Sequence, residues 1–240
     1  MSMDDRDWAR SGAVTTAQVT SFASLVYNWM ATGLGLTACV AYLIYQMQWY
    51  PYILGWTLPI VLAQLGLVFA IQSGMRSMKF ESLLLMFYGY SALNGLIFGS
   101  ILPVYAMRYG ADIVWVAFAS CAAIFLAATI YGRTSRTDLT RFASLLQFGL
   151  YGLIGLSLIS LVLSFFMNIS GMSLIIAYIG LAVFVGLMVV ESQQIRRLSA
   201  QCDGDDPAAR RLALMCALGM YINVVTVFWY LLRILSASRD

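Results

Sequence analysis

Few residues in this chain are able to do chemistry: Glu191, Asn223, Thr226, Tyr230 and Arg233, with Arg76 and Asn94 farther upstream. They lie in or at the edge of long apolar runs, where an amide, a carboxylate or a guanidinium finds no partner in hydrocarbon. An ionisable group in that setting marks an ion path or a gate by default. On a helix, Gly219, Asn223, Thr226, Tyr230 and Arg233 share about a quarter of the circumference. Leu214, Leu218, Val225, Phe228, Leu232 and Leu235 take the far side. The polar stripe must turn away from lipid, against or into a bundle of the other helices, with Glu191 as its acidic neighbour. Oxygens from Glu191 and from the Asn223 carbonyl suit a hard cation such as Ca²⁺. Two ligands make only a weak and partial site, since the ion takes about six to eight oxygens. The alternative reading leaves Glu191 at the headgroup boundary, facing water.

Other chemistries fail on composition. There is no histidine, which removes the commonest general base and metal ligand, and with it a serine–histidine protease. A retinal Schiff base needs a membrane lysine, and the sole lysine, Lys79, sits in a turn between spans. Phosphate-binding patterns are absent, Gly33 and Gly35 forming a lone GxG inside a span. Cys39, Cys121, Cys202 and Cys216 show no CxxC spacing, and three of them lie in apolar runs as small packing residues. Neither an enzyme nor a bound cofactor is expected.

The elements that position these residues follow from composition. Of 240 residues, 61% are hydrophobic and 10% charged, against roughly a quarter charged in a soluble domain. A bilayer crossing takes about 20 apolar residues, and seven runs qualify: Leu25 to Tyr45, Tyr52 to Ile71, Leu83 to Leu102, Ile113 to Ile130, Phe142 to Phe166, Leu174 to Val190, and Leu212 to Leu235. The fold class is an all-α integral membrane protein with seven transmembrane helices. Residues 1–21 form a cytoplasmic N-terminal arm, read as disordered, and residues 22–240 a single transmembrane domain. With the N-terminus inside, 11 of the 14 basic residues fall on cytoplasmic segments, which sets N-in and C-out.

Within the spans, Gly33, Gly35 and Ala38 permit close helix approach. Trp49, Tyr50, Pro51 and Tyr52 form an interfacial belt. Arg76 is either a headgroup anchor or a partner for an acid inside the bundle. Span three, with Gly89, Gly95, Gly99 and Asn94, is expected to pack against the last span, Asn94 making an interhelical hydrogen bond. Pro103 and Arg108 belong to a loop, and Asp112 opens the next helix against its dipole. Tyr131 to Arg141 reads as a basic hairpin. Asp206 caps a last helix that begins at Pro207.

Four segments then carry a resemblance: Val26-Tyr27-Asn28-Trp29-Met30; Tyr131-Gly132-Arg133-Thr134 with Asp138-Leu139; Tyr178-Ile179-Gly180 with Phe184-Val185-Gly186-Leu187; and Met220-Tyr221-Ile222-Asn223 with Phe228 and Leu231-Leu232-Arg233. Together they resemble the Bax inhibitor-1 (TMBIM-type) family. The resemblance implies six helices surrounding a central seventh, and a pH-sensitive calcium leak in a bacterial inner membrane. It further implies an acid ending helix six, here Glu191, sharing a proton with an acid on helix seven. That second position holds Asn223, and a nearby Asn of the pattern appears as Thr226. The family arginine that latches onto the helix-six acid corresponds to Arg76. Because two close carboxylates titrate as a pair and an acid–amide pair does not, altered pH gating is expected. The other function class is a membrane interaction protein that modulates a membrane-bound protease or another partner, through its arm and inner loops.

Overall fold

A computed structural model describes residues 3–74, 78–135, 137–164, 170–201 and 206–239. Over them the chain folds as α1 (Met3–Gln46), α2 (Tyr50–Leu54), α3 (Thr57–Gly74), α4 (Phe80–Tyr109), α5 (Ala111–Thr134), a 3-10 turn (Leu139–Phe142), α6 (Ala143–Ser164), α7 (Ser170–Ser199) and α8 (Pro207–Ala237). Arg76 and Cys202 lie outside the described residues. Among the described residues, five helices, α3, α4, α5, α7 and α8, are long and apolar enough to cross a bilayer, and α6 contributes the shorter apolar stretch Ala143–Ser157. Leu58, Leu62, Leu65 and Phe69 stand exposed along α3, a surface that belongs in hydrocarbon rather than water.

The helices depart from the apolar runs in four places. First, α1 is helical from Met3, and no proline interrupts residues 3–46. Second, the run from Tyr52 to Ile71 is broken at Gly55 and Trp56, where Thr57 Oγ1 donates to Leu54 O at 2.9 Å. Third, Pro103 sits inside α4 rather than in a loop. It removes one backbone donor, which a membrane helix tolerates when neighbours and side chains compensate. The turn falls instead at Gly110, whose φ of 97° only glycine adopts without strain. Fourth, α5 continues through Arg133 to Thr134, so the expected hairpin shrinks to a short connection.

Two compact units can be distinguished, each described by itself: Met1–Ile101 with Ile195–Gly219, and Leu102–Gln194 with Met220–Asp240. In the first, Gly95 and Gly99 of α4 meet α1. A Cβ on Gly95 would lie 2.6 Å from Val40 Cβ and 2.9 Å from Thr37 O; one on Gly99 would lie 2.7 Å from Ile44 Cβ and 2.8 Å from Ala41 O. Gly33 admits the Phe87 ring in the same way, whereas Gly35 faces open space. Thr37 Oγ1, 3.0 Å from Gly33 O and 2.9 Å from Ser91 O, shares its proton between its own helix and α4. Asn94 is buried and donates to Tyr90 O at 3.1 Å, so its bond stays within α4 rather than crossing to another helix.

Candidate functional site

In the second unit, α7 and α8 run antiparallel and meet along a polar ladder. At one end Arg233 Nη2 donates to Ser173 Oγ at 2.6 Å. Farther along, Gly180 leaves room for the Tyr230 phenol, because a Cβ at 180 would collide with that ring. Phe184 packs on the same ring at 5.9 Å between centroids. At the other end Asn223 Nδ2 donates to Glu191 Oε2 at 2.7 Å. Asn223 is buried and Glu191 partly so. Thr226, between these rungs, returns its proton to Ile222 O at 2.7 Å on its own helix. The stripe expected from helical spacing is therefore real, and three of its members, Asn223, Tyr230 and Arg233, contact α7.

The far side of α8 is covered as well. Phe118 of α5 stacks on Phe228 at 4.4 Å, and Cys121 Sγ lies 3.4 Å from Val224 O. No residue from 211 to 237 is exposed. A helix with no exposed residue over this stretch needs its polar groups answered by protein, and from Asn223 to Arg233 the α7 ladder does this.

The end of α7 that carries Glu191 is gripped from another direction by α5. At Gly132 the two helices touch so closely that a Cβ would stand 2.5 Å from Val189 O and 2.8 Å from Ser192 Cβ. Just beyond, Gln193 is fully buried; its Nε2 donates to Thr137 O at 2.7 Å, and its Oε1 accepts from Leu139 N at 2.8 Å. One side chain thus pins two backbone points at the end of the α5–α6 connection to α7. Nothing in the local pattern announces it: Glu-Ser-Gln-Gln after an apolar run reads as a helix leaving the membrane.

A third feature also escaped the spacing argument. Arg239, just past α8, pairs with Asp112 through both of its terminal nitrogens, Nη1 and Nη2, and its Nη1 donates to Tyr109 O at 2.6 Å. Asp112 does more than complement its helix dipole. Its carboxylate raises the Arg239 guanidinium above the ordinary arginine range, so that group stays charged.

Among the expected site residues, Glu191 and Asn223 come together, and Tyr230 and Arg233 extend the same interface. Asn94 is buried in α4 of the first unit, bonded to Tyr90 O, and Arg76 falls outside the described residues. As a calcium site the pair is partial. The Asn223 amide turns its N–H, not its carbonyl, toward Glu191, and among the described residues no cluster of three metal-ligating side chains forms.

Comparison with known proteins places this architecture. An uncharacterised protein of Chlamydia muridarum is 37% identical over 238 residues, covering 99% of this chain and 98% of its own. One from Deinococcus radiodurans is 33% identical, covering 94% of each. The inner membrane protein YbhL of Escherichia coli is 30% identical over 228 residues, covering 93% of this chain and 94% of its own. The family model described as "Inhibitor of apoptosis-promoting Bax1" matches residues 19–240. With apolar spanning helices and a match that takes in nearly the whole chain, the protein belongs to the Bax inhibitor-1 family of membrane proteins.

Proposed function

We propose that the protein is a calcium-leak channel or transporter of the inner membrane, controlled where Glu191 meets Asn223. We read it as seven crossings with α8 at the centre, the N-terminus cytoplasmic and the C-terminus outside. No enzymatic step and no resident cofactor are part of this reading; calcium is cargo. The observation that carries it is the 2.7 Å hydrogen bond between Asn223 and Glu191, made by a buried polar residue on a helix with no exposed face across its span. Holding a carboxylate inside a membrane protein is costly, and such groups persist where ions or protons move.

The bond ties α7 to α8 while Glu191 accepts it. An amide takes up no proton in the physiological range, so Glu191 titrates without the coupled partner that a second acid would supply. Opening requires this contact to part, which frees the carboxylate oxygens for a passing cation. Gating by pH should therefore be weaker than in a relative with two acids. Calcium flux in proteoliposomes between acid and neutral pH tests this. Glu191→Gln should change flux and flatten its pH response, and Asn223→Asp should steepen it. A strong response that Asn223→Ala abolishes and Glu191→Gln leaves intact refutes the assignment.

One observation favours the second reading, a partner-binding membrane protein. At 44 residues α1 is roughly 66 Å long, about twice the hydrocarbon thickness, so its N-terminal half extends beyond the bilayer as a helical arm able to reach a membrane protease or another partner. Deleting residues 1–21 separates the readings. Lost partner binding with flux intact supports interaction; lost flux supports transport.

A further inference from the structure

Hydroxyls in these helices nearly always satisfy themselves on their own backbone: Ser91 to Phe87 O, Ser100 to Ile97 O, Ser157 to Leu153 O, Ser199 to Ile195 O, and Ser236 to Arg233 O. Two do not. Thr129 Oγ1 on α5 and Ser192 Oγ on α7 are closed off and have no hydrogen-bond partner, at 9% and 0% exposure. Both lie at the Gly132 crossing: Thr129 sits about one turn before Gly132 on α5, and Ser192, with Val189, is what Gly132 meets on α7. A buried hydroxyl without a partner is disfavoured, and two at one contact disfavour that position of the helices. Directly beside them Gln193 makes two good bonds to the α5–α6 connection, which offset the deficit.

We propose that the α5–α7 crossing is a two-position latch, and that Gln193 is the positioning residue that holds it where Glu191 meets Asn223. This deepens the functional reading above and rests on it only for the flux readout. Gln193 sits two residues beyond Glu191 on the same rigid helix, so α7 cannot shift at the Asn223 contact without straining the Gln193 bonds. In the shifted position the two hydroxyls gain partners and Gln193 loses its own. Anything that pulls on the α5–α6 connection from outside the bilayer would then act on Glu191.

The two kinds of group predict opposite effects, which the full-length protein in liposomes can test. Gln193→Leu should speed hydrogen exchange at the Leu139 amide by about tenfold or more, since that amide loses its buried acceptor, and should raise calcium flux. Thr129→Val and Ser192→Ala should do the reverse: with an unpaired hydroxyl gone, the observed position is favoured, the melting temperature rises by about 2–4 °C, and flux falls. Unchanged Leu139 exchange in Gln193→Leu overturns the latch. So does a lowered melting temperature in both hydroxyl variants, which would show those hydroxyls already satisfied by buried water. If the wild type passes no calcium, the transport reading fails, while exchange and melting still decide the latch.

Discussion

The α1–α4 seam and the α7–α8 ladder are both close helix contacts built around glycine, yet they are made for different ends. In the first, Gly95 and Gly99 bring the backbones of α1 and α4 together, and the polar groups nearby, Thr37 and Asn94, spend their hydrogen bonds on main-chain carbonyls. In the second, Gly180 accommodates a side chain, and the decisive bonds join side chain to side chain: Arg233 to Ser173 and Asn223 to Glu191. Backbone-to-backbone packing has one good arrangement. Side-chain pairs across an interface can part and re-form, and only the α7–α8 contact includes a group that changes charge. On the function proposed above, the seam is the frame and the ladder is where movement is controlled.

Substitutions should separate the two. Gly99→Leu drives a side chain into the Ala41 carbonyl and should cost about 3 kcal/mol or more, seen as loss of folded protein in detergent. Gly180→Ala collides with the Tyr230 ring, which can swing aside; about 1–2 kcal/mol is expected, with the melting temperature lowered but the protein still folded. Asn223→Ala removes one interhelical hydrogen bond, worth about 1 kcal/mol in a membrane interface. Its larger effect should be access, with Glu191 labelled faster by a carbodiimide, and unchanged labelling would show that the amide does not guard the carboxylate. Arg239→Ala acts on an exposed ion pair and should leave the melting temperature unmoved. If it proves as damaging as Gly99→Leu, the contrast between frame and ladder is lost.

Much of this was readable from the chain. The angular spacing of Asn223, Tyr230 and Arg233 placed them on one face, because a stripe unsatisfied by lipid has to find protein. Asp206 capping α8 followed from the Asp-Pro pair, and Asp206 Oδ1 does accept from the Ala208 amide at 3.2 Å. What escaped depended on partners distant in sequence. Gln193 looks like any polar residue at a helix exit until residues more than 50 positions away fold over it. Pro103 carries a strong break signal, yet α4 runs on to Tyr109, since a single missing donor in a long membrane helix matters less than continued burial of the remaining bonds. The small face of α4 was legible as a packing face, but composition alone does not say which helix comes to it.

The bond from Arg239 to the turn at Gly110 has a practical consequence. Arg239 ties the residues just after α8 to the α4–α5 corner, so a spin label or fluorophore placed there reports from beside that corner. Distances measured from it to labels near Glu191 would follow any sliding of α7 without the ambiguity of a wandering terminus.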